Sequence, residues 1–235
     1  MGIRISAFAW VPSFAQGLVR DLRVRWALEE AGLNYEERLL RLGDNTNASY
    51  LRLQPFGQIP AYEEGNLILF ESGAIVLHIA ERCEKLLPSD LKSAARAKAW
   101  MFAALNTVEP PVVFLNQLQQ VNSAEAAALQ KPVVEAVQRR LDGLANWLNV
   151  RDYLEDQFTA GDLLMTTVLR ILRTTDLVTA IPALEAYQTR CEARPAFQKA
   201  LGAQMAAFYN NDPAISVHVS DGSKTDMPSF PPDPE

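Results

Sequence analysis

The chain has 235 residues, enough to bury a sizeable core in one large domain or two small ones. Apolar residues make up 49% and charged residues 21%, an ordinary globular balance, and a net charge of −6 argues against a nucleic-acid or anionic-membrane surface. No apolar run reaches the ~20 residues of a spanning helix, Cys83 and Cys191 read as isolated, buried or part-buried thiols, and His78 and His218 lack companion ligands for a metal.

Arg4 and the apolar stretch to Ala15 have the outline of a signal peptide, but Trp10 and Pro12 interrupt it, so the protein is expected to be cytoplasmic. Met1-Gly2 with Ser6 matches a loose acylation pattern and reads as coincidence. Ile3, Ile5, Ala7 and Ala9 alternate as a first strand. A loop follows from Trp10 to about Gly17, and Leu18 to Ala31 then step at helical spacing until the stop at Gly32. Tyr35 to Leu42 reads as a second strand, and Asn45 to Leu53 as a short polar helix or ordered loop. Ile59–Tyr62 and Leu67–Phe70 form a hairpin around residues 63–66, and Ser72 opens a helix running to about Glu84. The order βαβ followed by ββα is a thioredoxin-like topology, covering residues 1–85.

Strand signals vanish after Leu86-Leu87-Pro88. Helical patterns follow at 92–120, 124–149, 162–175, 182–193 and 195–208, giving an all-helical domain over 92–208. Residues 209–235 form a polar, proline-rich tail.

Two stretches carry chemistry. In Pro55-Phe56-Gly57-Gln58-Ile59-Pro60, a proline at a strand start belongs on an edge or at a special turn. A cis bond at Ile59-Pro60 would leave the Ile59 backbone free to pair with a peptide laid antiparallel to it; an ordinary loop proline is the alternative. In Phe70-Glu71-Ser72-Gly73-Ala74-Ile75, Ser72 is placed to cap the helix it opens. The same helix end offers unpaired N–H groups to a carboxylate, and Glu71 beside it can accept from an ammonium, which together suit an amino-acid zwitterion.

Gln58-Ile59-Pro60 followed by Glu71-Ser72-Gly73-Ala74-Ile75 resembles the glutathione-transferase superfamily, of the cytosolic bacterial type with the class left open. The stretch Leu22–Gly32 looks like that family's first helix, Phe158-Thr159-Ala160-Gly161-Asp162 like its helical-domain capping motif, and Ala183–Phe197 like its last core helices. The resemblance spans about residues 3–208. It implies that Ile59 pairs through its backbone with the cysteinyl part of glutathione, that Pro60 is the cis proline, and that Glu71 and Ser72 hold the γ-glutamyl group, with Gln58 a further contact. Arg41, Asn45 and Arg52 are candidates for the glycyl carboxylate.

Family members place a Ser, Tyr, Cys or Asn near the start of the first helix, donating to the glutathione sulfur. The corresponding stretch here, Gly17 to Arg20, holds none of these. Ser13, in the loop before it, and Arg20, acting with the helix N-terminus, are therefore the candidates for favouring the thiolate. Trp100, Phe102 and Phe114, with Trp10 and Phe14 from the long loop, are candidate walls of an apolar co-substrate pocket.

The resemblance implies an enzyme that conjugates glutathione to a small apolar electrophile, or uses it to reduce a peroxide or disulfide. It further implies a homodimer, while the net charge and the isolated histidines already argue against a nucleic-acid, membrane or metal partner. The alternatives are a non-catalytic glutathione- or ligand-binding module and an assembly protein that keeps the same fold.

Overall fold

The structure, a computed structural model, describes residues 2–215. The tail beyond Ile215, His218 and the Met1 end of the acylation pattern lie outside the described residues.

Strand β1 (Ile3–Phe8) leads into helix α1 (Asp21–Ala31), strand β2 (Tyr35–Leu40) and the short helix α2 (Ala48–Leu51). Strands β3 (Tyr62–Glu64) and β4 (Leu67–Leu69) precede α3 (Ser72–Ala80). The sheet order is β2-β1-β3-β4, parallel between β1 and β2 and antiparallel elsewhere, with Ile5 opposite Glu37 and Tyr62. A thioredoxin-like unit is thus in place. Pairing of β3 begins later than the expected Ile59, because Pro60 has no N–H for the ladder. The hairpin closes through Gly65-Asn66 alone, with Gly65 at φ 60, the positive φ that a tight primed turn demands of its first central residue.

The helical part contains α4 (Leu91–Phe102), α5 (Glu109–Leu118), α6 (Ala124–Leu148), α7 (Ala160–Leu169), α8 (Pro182–Glu192) and α9 (Pro195–Asn210). The one long helix expected over 92–120 is broken by a π-helical segment, Ala103–Val108, in which the Glu109 amide bonds to the carbonyl five residues back, at Ala104. Pro110 and Pro111 account for this. Neither has an N–H to give, and in a regular α-turn their rings would clash with the carbonyls four residues earlier. The wider turn leaves Glu109 pointing at α1, with consequences described below.

The capping box at Thr159 forms as its sequence suggests. Asp162 Oδ2 accepts from the Thr159 amide at 2.8 Å, and Thr159 Oγ1 accepts from the Gly161 amide at 3.2 Å. Asp162 Oδ1 accepts from the Leu154 amide and the Tyr187 hydroxyl, and burial pushes the carboxyl up to about 6. Cys191 is buried, its thiol pushed up to about 12 by burial, while Cys83 is half-buried.

Helix α1 joins the two parts, packing on α3, α7 and α9. Its Trp26 is fully buried against Phe197 of α9 and Phe158. One apolar core therefore runs from Ile5 and Tyr62 in the sheet through Leu22 and Leu28 to Leu163 and Leu164. Among the described residues, no helix is long and apolar enough to cross a membrane.

Candidate functional site

A cleft of about 440 Å³ opens between the sheet end of the first unit and the helices α5 and α7, within the range of small-ligand sites. Its first wall is the turn before β3: Gly57, Gln58 and Ile59 line the cleft, and the Ile59-Pro60 bond is cis. Gly57 sits at φ 63, and a Cβ there would stand 3.0 Å from the Asn45 carbonyl, so only glycine fits.

The second wall is the segment 14–20. Residues 12–18 fold into successive turns, so α1 starts at Asp21 rather than at the expected Leu18. Arginines from beyond α7 hold this loop by its carbonyls. Arg170 Nε donates to Gly17, while Arg173 donates to Gln16 at 2.8 Å and to Phe14 at 3.1 Å. Phe14, Ala15, Gly17 and Arg20 line the cleft; Ser13 is exposed and stands outside the lining.

The third wall is an ionic cluster. Glu109 Oε1 accepts from Arg20 Nε at 3.2 Å, Arg20 Nη2 at 2.8 Å and Arg23 Nη2 at 2.9 Å. Arg23, 3% exposed, also donates to Thr167 Oγ1 of α7 and to Ser72 Oγ of α3. Burial pushes the Glu109 carboxyl up, but the two guanidiniums outweigh it and hold the group below the ordinary carboxylate range. Both guanidiniums pair with the one Glu109 oxygen, and Glu71 acts on Arg23 electrostatically as well.

Ser72 does not cap α3. It is the first residue of the helix, its hydroxyl accepts from Arg23, and Glu71 holds the cap position without a side-chain cap bond. Glu71 has φ 67 and ψ 111, the one non-glycine residue with positive φ among those described, a conformation that costs about 1–3 kcal/mol. Its side chain is exposed next to helix amides that no side chain caps. Glu71 and Ser72 do not themselves line the cleft, and Arg23 links Ser72 to it.

Of the candidates for a second carboxylate, Asn45 lines the cleft, though its Nδ2 is committed to the Gly57 carbonyl at 2.6 Å; Arg41 and Arg52 are exposed and outside the lining. The aromatic walls differ from expectation. Trp100 borders a separate cavity of about 410 Å³ with Arg139 and Arg140, and Phe102 and Phe114 face outward. Trp10 too lies outside the lining, so of the five expected aromatics only Phe14 borders the main cleft. The widened turn before Glu109 turns α5 so that Val113 and Asn116, rather than Phe114, face it. Arg23, Glu109, Thr167 and Arg170 were not singled out from sequence; the one legible signal was the Glu-Pro-Pro at 109–111, a proline pair inside a helical pattern.

The family model described as "Glutathione S-transferase, N-terminal domain" matches residues 16–81, and "Glutathione S-transferase, C-terminal domain" matches residues 97–195. A glutathione S-transferase from Hyoscyamus muticus is 30% identical over 218 residues, covering 86% of this chain and 98% of its own length. Glutathione S-transferase 3 of Zea mays is 34% identical over 198 residues, covering 77% and 88%. The crystal structure of glutathione transferase F7 from Populus trichocarpa superposes with a TM-score of 0.74 at 27% identity, over 86% of this chain and 99% of that one. With a thioredoxin-like sheet, a cis proline at the cleft and both family models matched in order, the chain belongs to the glutathione S-transferase family.

Proposed function

We propose that the protein is a glutathione transferase that binds glutathione in the 440 Å³ cleft and activates its thiol. Residues 1–85 hold the tripeptide, and 92–208, with Phe14 and Leu18 of the first unit, supply the second substrate's wall. The observation that carries this reading is the placement of Ile59, beside the cis proline, on the same cleft as the cationic cluster of Arg20 and Arg23. The cysteinyl backbone pairs with Ile59, and Gln58 adds a contact. Glu71 accepts from the γ-glutamyl ammonium while Ser72 and the uncapped amides of α3 receive its carboxylate.

The sulfur then faces the start of α1. Arg20 lines the cleft there with its guanidinium partly exposed, so it is the thiolate-stabilising group; exposed Ser13, outside the lining, is the less favoured candidate. Lowering a thiol pKa by two units takes ~2.7 kcal/mol, within reach of a guanidinium plus a helix N-terminus. Phe14, Leu18, Val113 and Ile171 offer apolar contact to a small electrophile.

The protein is a cytoplasmic homodimer in this reading. Phe56 is 69% exposed, stacked edge-on against Phe70, with Leu67 and Ile68 exposed nearby, an apolar patch suited to a two-fold interface.

Calorimetric titration with glutathione, followed by turnover of chlorodinitrobenzene and of an organic hydroperoxide, tests the assignment. Binding with turnover of either is expected. Binding without turnover of any electrophile, peroxide or disulfide would leave a binding module, and no binding would sink the reading.

A further inference from the structure

The turn that carries Ile59 is held by four side chains from elsewhere in the first unit. Gln54, 1% exposed, accepts from the Phe56 amide at 2.7 Å and the Gln58 amide at 3.1 Å through Oε1, and its carbonyl accepts from the Gly57 amide. Asn45 Nδ2 donates to the Gly57 carbonyl. Tyr50, 3% exposed, donates its hydroxyl hydrogen to the Gln58 carbonyl at 2.7 Å, and the same oxygen lies 2.8 Å from Ser6 Oγ. Ser6 Oγ in turn accepts from the Ala61 amide at 2.7 Å, and the Ser6 amide donates to the Ala61 carbonyl.

Every amide from Phe56 to Ala61 thus has an acceptor except that of Ile59, proline having none to offer. Since buried backbone groups are normally paired, one unclaimed amide at a cleft wall is an address for a ligand. The relay also sets its direction. The Gln58 carbonyl belongs to the same peptide plane as the Ile59 amide, so a hydrogen bond that aims the carbonyl inward at Tyr50 aims the amide the opposite way.

We propose that Tyr50 is a positioning residue for glutathione: its hydroxyl, donating to the Gln58 carbonyl, sets the peptide plane that presents the Ile59 amide to the tripeptide. This rests on the glutathione reading above. Burial holds the phenol's pKa above its ordinary value, so Tyr50 remains a donor at working pH.

Tyr50→Phe removes the bond to Gln58, whereas Ser6→Ala removes the bonds of Ser6 Oγ to the Ala61 amide and to the Tyr50 hydroxyl and leaves Tyr50 donating to Gln58. Tyr50→Phe is expected to raise the Kd and the KM for glutathione about 5- to 10-fold, with kcat at saturation within about twofold. Ser6→Ala should raise the Kd less than about twofold, even where its Tm loss equals that of Tyr50→Phe. Equal affinity losses in the two variants, or no loss in Tyr50→Phe, would overturn the proposal. Absence of binding by the unaltered protein would instead take down the glutathione reading, and this inference with it. Should Tyr50→Phe not fold, hydrogen exchange of the unliganded native protein decides. The Ile59 amide should exchange at least roughly tenfold faster than those of Gln58 and Ala61, and equal rates would overturn the proposal.

Discussion

Glu109→Ala removes the single carboxylate that joins the helical part to α1 at the cleft. Its Oε1 accepts three hydrogen bonds from two arginines, and Glu109 and Arg23 are 6% and 3% exposed. Breaking a buried ion pair by deleting one partner costs about 3–5 kcal/mol, because the remaining charge stays buried without a counterion. Here the lower end applies. The Arg20 side chain is 44% exposed and can turn to water, and Arg23 keeps the Thr167 and Ser72 hydroxyls as neutral acceptors. A loss of ~3 kcal/mol corresponds to a Tm fall of about 6–12 °C at roughly 2–4 °C per kcal/mol for a chain of this size. Glu109→Gln keeps an oxygen acceptor and should lose about half as much. The pH dependence carries a sign. Because the carboxyl is held below its ordinary value of 4.5 in the fold, its stabilisation is present above that value and lost as pH falls through the lower folded one. Thermal unfolding by circular dichroism at pH 7 and in acid measures both. A Glu109→Ala Tm within about 2 °C of the parent at pH 7, or a gap that persists unchanged in acid, would refute the reasoning.

Glu71→Ala should weaken glutathione binding at least about tenfold by calorimetry, since an ammonium loses its charged acceptor; an unchanged Kd would remove Glu71 from the site. Arg20→Gln should raise the pKa of the bound thiol by about one unit, read from thiolate absorbance against pH, while Ser13→Ala leaves it in place; the reverse outcome would move the role to Ser13. Asp162, whose carboxyl burial pushes up from 3.8 to about 6, contributes stability that is full below 3.8 and lost as pH rises through 6, a change on the order of 1 kcal/mol between pH 5 and 7. Asp162→Asn should abolish that part of the slope in urea unfolding, and at the same time lower overall stability, because one of two doubly bonded oxygens becomes a donor facing donors. Phe56→Ser should shift the protein to monomer in sedimentation, and an unshifted dimer would place the interface elsewhere.

Local chemistry in the sequence determined most of the fold. Period-two alternation around Ile5, helical spacing from Leu22 to Ala31, the Thr159–Asp162 box and prolines in the first turns of α8 and α9 each act within a few residues, so they are readable without neighbours. The Gln58-Ile59-Pro60 turn was legible for the same reason. Tertiary structure alone decided what surrounds it. Sequence spacing points to Ser72 as a helix cap, but Arg23, 49 residues away, claims the hydroxyl. Trp100, Phe102 and Phe114 are candidate pocket walls among which spacing cannot choose, and the π-turn ahead of Pro110 rotates the helix and presents Val113, Asn116 and Glu109 instead. Charge pairing such as Arg20 and Arg23 on Glu109, 86 and more residues apart, depends on how two separately readable units dock, and no local pattern encodes that geometry.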